Sequence, residues 1–294
     1  MPQSIHRKRV IIILLLLPLI WLACEEPTPP SGCTDLTASN YDASALVDDS
    51  SCVYDQVGDL IWQDEFDGAT LDGSKWVHDI GNGDWGWGNG ELQYYTPENT
   101  IVSNGTVKIF ARTEEINGFN YSSSKIKTDG KFTFKYGKVQ ARIKTVNGEG
   151  FWPAFWMLPS GGNWPCDGEI DIMEQWGNNG STYATTGAAH LGFCPYSPST
   201  HFYNSFHQNI PMGSYADDFH IYELRWGPNY IVWYLDGEIM YELTPEMYPS
   251  NFEWPFNSNQ WYLILNLAIT NSGPNANTPF PSQIEIDWVR VYNN

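Results

Sequence analysis

The chain reads as an all-β protein, and three observations carry that reading. Short runs of apolar, aromatic and β-branched residues recur from about Leu60 to Tyr292, separated by Gly, Asn, Asp and Pro. No long segment spaces its apolar residues three and four apart, as an amphipathic helix would. Asp236–Gly237 sits between two such runs, Tyr230–Leu235 and Glu238–Leu243, and this dipeptide is a strong hairpin signal. Other strands are expected at Thr106–Ala111, Phe132–Tyr136, Lys138–Ile143, Phe219–Trp226, Trp261–Ile269 and Ile284–Tyr292. The span 57–294 is long for a simple immunoglobulin-like unit. It suits one large sandwich or jelly roll of two antiparallel sheets.

Residues 1–56 do not belong to that unit. Met1 to Arg9 is short and basic, and the apolar run Val10–Ala23 follows. The run is short for a membrane span, which needs roughly 20 residues, but it suits the apolar region of a signal peptide over 1–23. Trp21–Leu22–Ala23–Cys24 resembles a bacterial lipobox with Cys24 bearing the lipid, although Leu is usual where Trp21 stands. Glu25 and Glu26 resemble the acidic export tag of surface lipoproteins in Bacteroidetes-like bacteria. The expected location is therefore the outer membrane or cell surface, with membrane contact only through the Cys24 lipid. Simple secretion is the alternative. A Pro-rich tether leads into a small acidic module bounded by Cys33 and Cys52, so 24–56 reads as tether plus spacer. Export licenses disulfides. Without Cys24, four cysteines allow three pairings, and sequence proximity favours Cys33–Cys52 and Cys166–Cys194.

A formal charge of −19 argues against nucleic acid as a partner, because phosphate binding needs basic patches. Aromatic residues make up 15% of the chain, including 14 Trp. Sugar rings present apolar faces that stack on such side chains, so the surplus points toward carbohydrate as well as toward an aromatic core.

The chemistry concentrates in Gly168–Glu169–Ile170–Asp171–Ile172–Met173–Glu174. On an ideal strand Glu169 and Asp171 share a face and Glu174 falls on the other. One extra residue near Met173, a β-bulge, would bring Glu174 round to join them, and bulges often re-aim side chains beside active sites. A solvated acidic strand or a metal site is the plainer alternative, but the apolar spacing and the flanking Trp164 and Trp176 fit it poorly.

In this order, and with these flanks, the chain resembles glycoside hydrolase family 16, in particular its laminarinase-type endo-β-1,3-glucanases. The resemblance runs from Trp62 to Tyr292. It includes Asp64–Gly68, Gly86–Tyr95, Tyr136–Lys138, Gly150–Pro159, the acidic motif, Phe219–Leu224, Leu265–Ala268 and Asp287–Tyr292. It implies a curved β-jelly roll with a concave glycan-binding cleft, acting on a β-glucan by retention of configuration without a catalytic cofactor. Glu169 would be the nucleophile, Glu174 the acid/base, and Asp171 the neighbour that hydrogen-bonds Glu169 and biases its protonation. A retaining pair of carboxyls stands roughly 5–5.5 Å apart.

The resemblance also nominates substrate contacts. Asn89 is a hydrogen-bond donor to sugar hydroxyls, and Trp152, Trp156 and Trp164 are candidates for stacking on glucosyl rings. His190 lies near the acids, with a purely structural role as its alternative. Lys125 stands where many relatives carry arginine and lacks that residue's bidentate fork. Family members often hold one structural Ca²⁺ away from catalysis, and Glu65, Gly105 and Asp287 match those positions; ordinary strand-end polar residues are the alternative. His201, His207 and His220 show no metal spacing and read as structural. A monomer is expected. Mixed-linkage β-1,3-1,4-glucanase, agarase and carrageenase are the enzymatic alternatives, and the acidic charge disfavours sulphated carrageenan. A non-catalytic β-glucan-binding protein is the alternative from another class, and the retained glutamates argue against it.

Overall fold

The architecture comes from a computed structural model, which describes residues 28–35, 38, 40–52, 58–176, 184–210 and 212–294. The expected leader, Cys24 and its acidic tag lie outside the described residues. The first strands, β1 (Ser31–Gly32) and β2 (Val47–Asp48), pair in a small unit closed by Cys33–Cys52. Its aspartates cap turns: Asp42 accepts from Ser44, Asp48 from Ser50 and Asp49 from Ser51.

The main body opens with β3 (Leu60–Asp64), β4 (Val77–Asp79), β5 (Gln93–Tyr95), β6 (Thr100–Ser103) and β7 (Thr106–Ile116). Next come β8 (Phe119–Ser123), β9 (Lys125–Lys127), β10 (Gly137–Lys144), β11 (Phe151–Pro159) and β12 (Glu169–Glu174). Then follow β13 (Ala184–Gly192), β14 (His201–Asn209), β15 (His220–Gly227) and β16 (Tyr230–Leu235). The last are β17 (Glu238–Leu243), β18 (Trp261–Ile269) and β19 (Ser282–Tyr292). One sheet has seven strands in the order β14-β13-β12-β11-β18-β9-β4. The other runs β17-β16-β15-β10-β19-β7-β8-β5, with β3 also paired to β19 and β6 to β7. Pairing in both is antiparallel except between β5 and β8.

Period-two alternation explains how the sheets close on each other. On β10 the residues Val139, Ala141 and Ile143 are fully buried while Lys138, Gln140 and Arg142 face outward. On β11 Phe151, Phe155 and Met157 enter the core, and on β18 Trp261, Leu263, Leu265, Leu267 and Ile269 meet them. Trp226 of one sheet meets Trp261 of the other edge to face at 5.6 Å, a geometry worth about 0.5–1.5 kcal/mol beyond the area buried. The opposite face of the seven-stranded sheet carries Trp152 and Trp156 from β11 and the acids of β12.

Asp236 and Gly237 both take positive φ (52° and 89°) and join β16 to β17, as a type I′ hairpin requires. The expected strand Phe132–Tyr136 does not form; Phe134 makes one isolated bridge to Trp261. Its aromatics are drawn into side-chain packing, with Phe132 stacked on Trp62 at 5.1 Å. Tyr136 then turns the backbone at φ 63°.

Candidate active site

The bulge required by the acidic motif is present. Across β11 and β12, Phe155 pairs with Met173 and Trp156 with Asp171. Ile172 is therefore the extra residue; it, rather than a position at Met173, is left unpaired. On the other side Asp171 opposes Ala188 and Glu174 opposes Thr186, so β12 spends three residues where β13 spends two. Ile172 and Met173 both stay in the core, and Glu174 turns to the face of Glu169 and Asp171. The disrupted ladder is stabilised from below: the buried Trp233 indole, from the opposite sheet, donates to the Asp171 carbonyl at 2.9 Å. Gly168 opens the strand at φ 90°, where an added Cβ would press on Phe256 and Trp261.

Three carboxyls in one partly closed pocket cannot all ionise. Burial, then the Asp171 charge, pushes Glu169 up to about 8, with His190 opposing. Burial pushes Asp171 up to about 7 against its hydrogen bond with Glu169. Glu174 rises to about 8, first through burial and then through Asp171, while the Trp152 indole and His190 hold it down. Glu169 and Asp171 can thus share one proton, and Glu174 keeps its own near neutral pH. The arrangement supplies one carboxyl able to donate a proton and one able to attack.

On the β11 side the Trp152 indole donates to Glu174 at 2.8 Å and stacks on Trp176 at 3.9 Å. Trp156 donates to the Asn266 side chain at 2.7 Å, and Asn266 donates to the Tyr95 hydroxyl. Tyr95 and Gln93 donate to buried Glu91, which also accepts from exposed Asn89. The loop Gly86–Gly90 is thereby tied to a cleft tryptophan. Lys125, nominated as a sugar contact, is held by protein groups. It is buried beside Asp79 at 3.5 Å, and its ammonium lies over the rings of Trp87 (4.2 Å) and Trp156 (5.1 Å). Little of it is open, and its ammonium is held against those rings.

On the β13 side His190 lies opposite Glu169. Its Nε2 is 3.1 Å from Asp171 and its Nδ1 is 2.9 Å from Nε2 of His201. With Nε2 toward Asp171 and Nδ1 toward His201, the His190 ring is held from both sides. Trp164 stands further out, 5.0 Å from the His201 ring. Sequence reasoning placed His201 among structural residues and did not single out Asn266, Tyr95 or Trp233. Tyr95 lay in the motif Gly86–Tyr95 and Asn266 in Leu265–Ala268, and membership of those motifs was the available signal for both.

The proposed calcium residues lie close in register around β19, but their side chains are committed. Glu65 accepts two hydrogen bonds from Arg290 at 2.8 Å, and Asp287 pairs with Arg142 at 2.6 Å. Gly105, in the β6–β7 turn, can offer only main-chain atoms. A hard cation seeks six to eight oxygens, and these two carboxylates are already paired with guanidinium groups, which leaves main-chain carbonyls as the free oxygens of the three residues.

Trp152→Phe tests the electrostatics. The indole favours the ionised form of Glu174, so its loss should raise that group further. The alkaline limb of kcat/KM should then move up by about one pH unit, since a hydrogen bond to a charged group is worth ~1.5–3 kcal/mol. An unmoved limb would sever Trp152 from acid catalysis.

The profile described as glycosyl hydrolases family 16 matches residues 87–290. The chain is 39% identical over 262 residues to glucan endo-1,3-beta-glucosidase A1 of Niallia circulans, covering 79% of this chain and 37% of that protein. It thus spans well under half of that relative. It is 37% identical over 251 residues to a beta-glucanase of Rhodothermus marinus, covering 80% of this chain and 85% of that one. Among solved structures, the laminarinase catalytic domain from Thermotoga maritima MSB8 gives a TM-score of 0.74 at 37% identity, over 81% of this chain and 99% of that chain.

Proposed function

Because the chain belongs to family 16 of the glycosyl hydrolases, we propose that it cleaves internal β-1,3-glucosidic bonds of laminarin-like glucans with retention of configuration. The observation that carries this reading is the Ile172 bulge, which returns Glu174 to the face of Glu169, where it accepts from the Trp152 indole. Ionised Glu169 attacks the anomeric carbon while Glu174 gives its proton to the departing glycosidic oxygen, leaving a glycosyl ester on Glu169. Water then attacks the same carbon, Glu174 takes its proton, and the Glu169 carboxylate is released. Asp171 carries the shared proton when Glu169 must be charged, and His190 holds Asp171 in place. The cycle consumes only water. The N-terminal sequence supports export and lipidation at Cys24 as the setting for this activity.

Proton NMR of the earliest products from laminarin tests the reading, with lichenan, agarose and carrageenan alongside. The β-anomer should appear first and laminarin should be the best substrate. An initial α-anomer would overturn retention. Preference for lichenan would shift the assignment to a mixed-linkage glucanase.

A further inference from the structure

We propose that Trp164, Tyr196 and Tyr203 form a second glucan-binding platform at the β14 edge of the sheet, gripping sugars beyond the bond that is cut. This rests on the glucanase reading and extends its site. The three rings are 40%, 50% and 59% exposed, whereas most of the described aromatics are buried or only partly exposed. They gather around His201: Trp164 and Tyr196 lie 4.9 Å apart, and the His201 ring is 5.0 Å from the first, 5.8 Å from the second and 5.9 Å from Tyr203. Trp164 lies in the loop before β12 and Tyr196 in the loop before β14.

Continuity with the cleft says what covers this patch. Glu169 opposes His190, and His190 opposes Tyr203, so one row crosses three neighbouring strands. Tyr203 stands two strands from Glu169, about 10 Å at ~4.8 Å per strand. A chain laid across the strands over Glu169 reaches Tyr203 only with sugars beyond the one attacked. The near-parallel rings of His190 and Tyr203, 20° apart, continue the floor outward. Apolar faces edged by phenol and imidazole hydrogen-bonding groups suit a neutral sugar chain. The Cys166–Cys194 disulfide joins the loops that carry Trp164 and Tyr196. Both rings are therefore placed before a glycan arrives, which lowers the ordering cost of binding.

The experiment compares wild type, Tyr196→Ala and Tyr196→Phe on laminarin and on a short laminari-oligosaccharide. Tyr196 touches neither His190 nor the carboxyls. The ratio of kcat/KM for polymer over short oligomer should fall about tenfold in Tyr196→Ala, equivalent to ~1.4 kcal/mol, and return in Tyr196→Phe. An unchanged ratio overturns the platform. Affinity electrophoresis in laminarin gels provides a readout free of turnover: weaker retardation of Tyr196→Ala supports the platform and equal retardation overturns it. If wild type is retarded but cleaves nothing, the hydrolase reading fails while the retardation difference still decides the platform. Weaker retardation that comes with a changed mass in light scattering would mark a self-association surface and overturn it too.

Discussion

Glu169→Gln is expected to lower laminarin turnover on the order of 10⁴-fold or more, as loss of a covalent nucleophile does elsewhere, while laminarin binding persists. The amide keeps the shape of the side chain but cannot form the glycosyl ester. The same substitution should make the protein more stable near neutral pH. Glu169 is raised from 4.5 to about 8 chiefly by burial, so charging it costs the folded state more than the unfolded one. Its favourable contribution is complete below about pH 4.5 and is lost as pH rises through 8. Wild type should therefore lose melting temperature between pH 5 and 8, and the glutamine variant should lose less. A difference of a few degrees at pH 8 is expected, because about 1 kcal/mol shifts a domain of this size by ~2–4 °C. Reducing-sugar release and thermal melts check both halves. Turnover near the wild-type rate would move the nucleophile to another residue.

Trading stability for charge at one strand explains which parts of the molecule could be read beforehand. Alternation made β10 and β19 visible, since each buries close to every second residue, while β16 and β18 showed as continuous apolar runs because both of their faces are buried. The parity of Glu169, Asp171 and Glu174 required a bulge, and the register places it at Ile172. The exact unpaired residue was not legible, because Ile172 and Met173 are both apolar and both fit the core; only the partner strand decides between them. Lys125 was only partly legible for a related reason. Its position in the motif was clear, but its burial depends on Asp79, Trp87 and Trp156, which come from three separate segments. Phe132–Tyr136 has strand composition, and tertiary packing of its rings against Trp62 overrode that preference. His201 was missed because only strand pairing sets it against His190, eleven residues away.

Glu174→Ala separates the two carboxyls by role, which no single activity loss can do. Laminarin has a poor leaving group, so removal of the proton donor should slow its hydrolysis by about 10²–10⁴-fold. A dinitrophenyl β-glucoside or its β-1,3-linked homologue leaves without a proton, so Glu169 should still attack it at a near-normal rate. The ester then accumulates, because the base that activates water is also gone, and a burst of dinitrophenolate followed by slow turnover is the expected trace. Azide needs no base, is small enough for the space vacated by the carboxyl, and should restore steady-state turnover with a β-glycosyl azide as product. The alkaline limb expected of wild type, from Glu174 raised to about 8, should disappear for this substrate. Equal slowing of laminarin and the activated glycoside, with no azide rescue, would show that Glu174 serves binding or folding and that the bulge at Ile172 delivers no acid. An α-glycosyl azide would exchange the roles altogether, since direct attack by azide on the opposite face is what loss of the nucleophile permits.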